Sequence, residues 1–126
     1  MTAHPMTDRP PEFEIERTPL AGAPRVLVRG EVDIGTAPRL TATLDAAIRE
    51  SKGAFVVDLC DLDFLDSSGV TVLLRARAML GRDERALLVI CPPGPVRRIF
   101  EVAGIADLFA LLESRDQAAA LLQPAD

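Results

Sequence analysis

Phe55-Val56-Val57-Asp58-Leu59-Cys60-Asp61-Leu62-Asp63-Phe64-Leu65-Asp66-Ser67-Ser68-Gly69-Val70 runs from a buried strand through an acidic loop into a helix. Phe55 to Leu59 is a short apolar, β-branched run, and Val70, Leu73, Leu74 and Ala78 then recur at helical spacing. Asp66 or Ser67 therefore caps a helix that extends to about Gly81. First-turn N–H groups have no intrahelical partner and carry partial positive charge, so a side-chain oxygen or a phosphate is stabilised there. A Ser/Asp helix start is, on spacing alone, most often only a cap.

Outward from this stretch the chain alternates strands and helices. Ala86 to Cys91 is a second apolar strand, parallel to the first because a helix connects them. Upstream, Phe13 and Ile15 alternate with acidic residues, and a turn with Pro19, Gly22 and Pro24 leads to Val26-Leu27-Val28, an antiparallel strand pair. Thr36 caps a helix with Pro38 in its first turn and Leu40, Leu44, Ala47 and Ile48 on one face, stopped by Lys52-Gly53. Downstream, Pro92-Pro93-Gly94-Pro95 turns the chain into a helix carrying Val96, Ile99, Phe100 and Ala103. Gly104 ends it in a left-handed conformation that folds Ile105 back on Phe100. Phe109 to Leu112 adds a short strand, and Ser114 with Gln117 has capping-box spacing ahead of a closing helix. The expectation is one α/β domain over residues 12–122, with a mixed central sheet of about four to five strands and about four helices. Residues 1–11, with three prolines and the only histidine, read as a disordered tail, and residues 123–126 as a second one.

Composition narrows the function. A chain of 126 residues, 48% hydrophobic, supports one real core. A net charge of -5 argues against a nucleic-acid surface, so partners are proteins. No apolar run approaches the ~20 residues of a membrane span, and no basic segment precedes an apolar one at the N-terminus, which reads as a cytoplasmic chain. Cys60 and Cys91 each close an apolar run and read as two buried free thiols.

The cluster Asp58, Asp61, Asp63 and Asp66 invites a competing reading as a Mg2+ site or aspartyl-phosphate nucleophile. Leu65 stands where phosphatases of that kind carry Thr or Val, and calcium-loop spacing fails, which favours solvated carboxylates balancing a helix N-terminus. Catalysis by Ser67 or Ser68 needs a base, and the sole histidine, His4, lies in the tail. Neither phosphate-cradling glycine motif occurs. The expectation is no catalytic residue, no metal and no cofactor: a substrate of an enzyme rather than an enzyme.

Phe64-Leu65-Asp66-Ser67-Ser68-Gly69-Val70 resembles the phosphoacceptor segment of the STAS domain of bacterial anti-sigma-factor antagonists. Gly30-Glu31-Val32-Asp33 with Thr36-Ala37 and Leu40, and Pro95-Val96-Arg97-Arg98-Ile99-Phe100 followed by Gly104-Ile105, match in order. The resemblance implies a single STAS-type domain in which Ser67 is phosphorylated by an anti-sigma factor with serine kinase activity and reset by a serine phosphatase. It implies that the unphosphorylated form binds the anti-sigma factor and frees the sigma factor, with ATP belonging to the partner. Glu31, Asp33, Thr36, Asp66, Ser68 and Gly69 would form the partner-binding edge. Alternatives are a stressosome-like or transporter-associated STAS module, or a small Asp-dependent phosphatase.

Overall fold

Alternating apolar and charged side chains make Phe13–Arg17 (β1) and Arg25–Val32 (β2) an antiparallel pair, with Phe13 opposite Gly30 and Ile15 opposite Val28. The computed structural model describes residues 13–123, so the N-terminal tail assigned to residues 1–11 and most of the C-terminal one lie outside the described residues. Phe55–Asp58 (β3) is buried at every position, as a parallel strand covered on both faces must be. It pairs in parallel with β2 on one side and with Leu87–Ile90 (β5) on the other. Ala110–Leu112 (β6) extends the sheet in parallel beyond β5.

The segment read as an acidic loop contains a further strand. Leu62–Leu65 (β4) runs parallel to the end of β2, with Glu31 opposite Phe64 and Val32 opposite Leu65, bringing the sheet to six strands. Aspartates weaken strand propensity, but Leu62 and Leu65 are buried while Asp63 and Phe64 face solvent, and pairing to β2 satisfies the backbone. β2 reaches this position through Gly30, whose φ of 90° accommodates a register shift before Glu31. Glu31 is thus a strand residue, not a loop residue.

Helices Ala37–Arg49 (α1), Ser67–Arg82 (α2) and Pro95–Val102 (α3) contribute to the larger core. There Leu40, Leu44, Leu73, Leu80 and Phe100 pack with Val26, Val28, Phe55 and Val57. Arg115–Leu122 (α4) covers the other face, where Ala118 packs with Val56, Leu88 and Ile90. The expected end of α3 is present: Gly104 has φ 73°, and the Ile105 N–H donates to the Phe100 carbonyl at 3.0 Å. Ser114 accepts from the Gln117 N–H at 3.1 Å, while Gln117 reaches back to the Glu113 N–H at 2.8 Å. Three arginines tie neighbouring elements together. Arg75 pairs with Asp45 across α1 and α2, Arg77 donates to the Leu108 carbonyl, and Arg97 donates to the Cys91 carbonyl.

Asp58 is fully buried, not the solvated carboxylate expected of it. Its Oδ2 accepts from Arg25 at 3.0 Å and from Arg115 at 2.7 Å, and its Oδ1 accepts from the Cys60 amide at 3.0 Å. Arg115 also donates to Asp61 at 3.1 Å, and Arg29 links Asp61 to Glu14 and Glu16 across the outer face of β1 and β2. Burial works to raise the Asp58 carboxyl, but the hydrogen bonds from Arg115 and the Cys60 amide outweigh it and hold it below its ordinary value. A group depressed in the folded state stabilises above its unfolded pKa, ~3.9 for Asp, and loses that contribution as pH falls through the folded value.

Asp58→Asn is therefore expected to cost about 3–4 kcal/mol at neutral pH, in the lower part of the range for breaking a buried pair because Arg115 keeps Asp61. Urea denaturation from pH 7 down to pH ~3 should show the gap between variant and parent narrowing below pH ~4. A gap that widens with acid would contradict the assignment of Asp58 as an ionised hub.

Candidate functional site

Two loops meet at the end of the sheet where β2 and β4 finish. The Asp66 amide donates to the Val32 carbonyl at 3.1 Å, which ties the start of α2 to the end of β2. Between β2 and α1, Asp33 and Thr36 lock each other. The Asp33 carboxylate accepts from the Gly35 N–H at 2.9 Å and the Thr36 N–H at 3.1 Å, and the Thr36 hydroxyl accepts from the Asp33 N–H at 2.9 Å. Thr36 stands at the N-cap position, but its side chain makes no cap bond to α1 as expected of it and turns back into the loop, donating to the Glu31 carbonyl at 3.1 Å. The Ala37 N–H finds the Asp33 carbonyl at 2.8 Å, and Pro38 has no N–H to satisfy.

At α2 the choice between Asp66 and Ser67 as cap is settled for Asp66. Its Oδ1 accepts from the Ser68 N–H at 2.9 Å, the Gly69 N–H at 3.3 Å and the Ser68 hydroxyl. The Ser68 hydroxyl bond above all, joined by the Gly69 and Ser68 amides, outweighs desolvation and holds the Asp66 carboxyl below its usual range. Ser67 is the first residue of the helix, exposed, and among the described residues its hydroxyl has no hydrogen-bond partner. Adjacent serines thus differ sharply. Ser68 is half-buried and committed to Asp66, whereas Ser67 projects a free hydroxyl into solvent in the positive field of the helix start. Two of the N–H groups that a phosphate would use, those of Ser68 and Gly69, are already taken by the Asp66 carboxylate, which the sequence does not reveal.

Gly69 is buried beneath this turn, where it permits close approach rather than offering a surface. Glu31, Asp33, Thr36, Asp66, Ser67 and Ser68 share one end of the molecule with it. Two apolar residues missed in the sequence belong to the same end: Ile34 and Phe64, both exposed. Their signal was present as large hydrophobic side chains set among acidic ones.

The aspartate cluster is divided among separate tasks: Asp58 and Asp61 in ion pairs, Asp66 as a cap, Asp63 in solvent. Among the described residues no group of three or more His, Cys, Asp or Glu side chains is placed to hold a metal. Cys91 is buried in the larger core and half-buried Cys60 packs against the α4 face, and both are free thiols. Burial pushes Cys91 up to about 11; burial, then a hydrogen bond with Asp58, pushes Cys60 up to about 12. Both are protonated thiols at neutral pH and poor nucleophiles. No helix among the described residues is long and apolar enough to cross a membrane.

The family described as Mlab, STAS domain matches residues 18–113. The putative anti-sigma factor antagonist BtrV of Bordetella bronchiseptica is 34% identical over 99 residues, covering 78% of this chain and 84% of that protein. The anti-sigma-B factor antagonist of Staphylococcus aureus is 26% identical over 91 residues, covering 72% of this chain and 84% of that protein. An anti-sigma factor antagonist from Mycobacterium paratuberculosis, solved by crystallography, superposes with a TM-score of 0.81 at 28% identity, covering 89% of this chain and 95% of that one.

A Cβ added to Gly69 would lie 2.2 Å from Leu65 Cδ1 and 2.9 Å from Val32 Cγ1. Overpacking of this kind costs about 1–3 kcal/mol, against a helix-propensity gain of about 1 kcal/mol. Gly69→Ala should therefore be less stable by up to about 2 kcal/mol, with amide shifts displaced from Asp66 to Val70. Denaturant unfolding and a proton–nitrogen spectrum check both, and a stabilised variant would show that the approach is not tight.

Proposed function

The chain belongs to the STAS domain family, and on that premise we propose that it acts as an anti-sigma-factor antagonist switched by phosphorylation of Ser67. One observation carries the assignment to that serine. Of the two hydroxyls at the start of α2, Ser68 is bonded to Asp66, and Ser67 is exposed and unpartnered among the described residues. A kinase must reach its acceptor hydroxyl with an in-line γ-phosphoryl group. Only the free serine offers that approach.

The unphosphorylated protein binds an anti-sigma factor with serine kinase activity, and the sigma factor is released. The Ser67 oxygen then attacks the γ-phosphorus of the partner's ATP, the bond to the ADP oxygen breaks, and the hydroxyl proton passes to a base on the partner. A serine phosphatase hydrolyses the ester to reset the cycle.

Phosphorylation acts mainly on the partner. With Ser68 and Gly69 amides held by Asp66, the phosphate gains little local cradle and stays in solvent within the helix dipole. It then faces the nucleotide phosphates and acidic groups that the partner used in transfer. A charge of about -2 placed ~6 Å from one such negative charge, at an effective dielectric of ~40, costs ~3 kcal/mol, on the order of a hundredfold in affinity.

Ser67→Ala should lose phosphate incorporation by the anti-sigma factor yet still bind it, while Ser68→Ala should remain a substrate and lose about 1 kcal/mol of stability through its weakened helix start. Radiolabelled ATP and calorimetric titration decide this. Incorporation that persists without Ser67 and vanishes without Ser68 would move the site by one residue. The phosphorylated chain, compared by partner affinity and amide shifts, should bind on the order of a hundredfold more weakly. Its shifts should stay confined to the Ser67 end; shifts spread through the sheet would replace local repulsion by a conformational switch.

A further inference from the structure

Ile34 is 82% exposed and Phe64 44% exposed, at the end of the sheet that carries Ser67. A single exposed apolar residue needs no explanation, but these two share an edge. Phe64 lies opposite Glu31 in the β2–β4 ladder, and Ile34 follows Val32, whose carbonyl holds the Asp66 amide. Neither side chain belongs to a core cluster. The turn that carries Ile34 is fixed by Asp33 and Thr36 alone, so the fold does not need an isoleucine there.

The surroundings are acidic and unneutralised. Glu31, Asp33 and Asp63 flank the pair, and among the described residues none has a cation within ion-pair distance. The nearby Arg29 and Arg115 are already engaged with Asp61, Asp58 and the β1 glutamates. We infer that Ile34 and Phe64 are the apolar anchors by which the anti-sigma factor holds this chain, seated in apolar sockets rimmed by Lys or Arg. This rests on the reading of Ser67 as its phosphoacceptor.

Charge selects that occupant. A second copy docked through the same patch would set Glu31, Asp33 and Asp63 against their own equivalents, and a nucleic acid or anionic membrane would be repelled in the same way. A basic rim around apolar sockets complements the patch, and burying exposed Ile and Phe supplies the affinity that a small hydroxyl cannot. The anchors contact the partner and not the reacting atoms, so they govern capture of this chain and leave the chemical step alone.

The test uses the purified full chain as phosphate acceptor for each purified serine-kinase anti-sigma factor of the source genome, with Mg-ATP. Ile34→Ala and Phe64→Ala should each raise KM for the acceptor about tenfold with kcat unchanged, and the double variant should raise it further. Leu121→Ala, an exposed apolar residue on α4, should leave both constants at the parent values. Circular dichroism and thermal melting confirm that the variants fold, as the exposure of both residues implies. Parent-like KM in the double variant, with the parent phosphorylated normally, overturns the anchors alone. Sedimentation showing a parent dimer that the double variant converts to monomer, with KM unchanged, makes the occupant a second copy and overturns the proposal too. A parent chain that no such kinase binds or phosphorylates defeats the reading of Ser67 itself, and the anchors with it.

Discussion

Taking a carboxylate out of water costs several kcal/mol unless it is paired and hydrogen-bonded, and Asp58 is the only charged side chain buried among the described residues. Three parts of the chain meet that demand together: Arg25 from β2, Arg115 from the first turn of α4, and the Cys60 amide just past β3. Apolar residues of similar volume would fill the same space but would not require α4 to begin there. The ion pairs therefore give register more than bulk stability. They also hold Arg115 where it can take Asp61, which anchors the chain entering β4 and so the approach to Ser67.

The functional end is then built from two self-contained turns joined by one backbone bond. Asp33 with Thr36, and Asp66 with Ser68, each satisfy their own polar groups locally. The Asp66–Val32 bond and the tight seat of Gly69 against Leu65 and Val32 hold them side by side. Local satisfaction leaves few polar groups seeking partners, and the residues that remain available are Ser67, the unpaired carboxylates and two apolar side chains. This end therefore leaves a polar and apolar surface open to solvent without any cost to the core.

Much of this was legible in the sequence because period and punctuation agree. β3 announces itself as a continuous apolar run, α2 by helical spacing behind a cap, and α3 by Pro95 at its start and Gly104 at its end. β4 was hidden because Asp63 within it and Asp61 and Asp66 beside it argue against a strand, and its pairing with β2 is a long-range fact. Asp58 was misread for a related reason: its partners Arg25 and Arg115 lie 33 and 57 residues away, and nothing local marks a carboxylate as buried. At the site, the resemblance pointed to Ser67, while the residues alone offered two neighbouring hydroxyls, and only geometry shows Ser68 bonded to Asp66 and Ser67 free. Thr36 was placed correctly and given the wrong bond, since a threonine at a helix start can turn its oxygen either way.

The occupancy of the α2 start by Asp66 bears on how long a signal lasts. A phosphate cradled by free amides would be stored, shielded and slow to remove, and its lifetime would be a property of the fold. Here the Ser68 and Gly69 amides are already held by Asp66, so a phosphate on Ser67 would stand largely outside the folded body as an open ester. On the proposed cycle the protein would behave as a memory element with no latch of its own, written by one enzyme and erased by another. The duration of the response would then be set by the abundance of those two enzymes, and could be retuned by changing either without altering a residue of this chain.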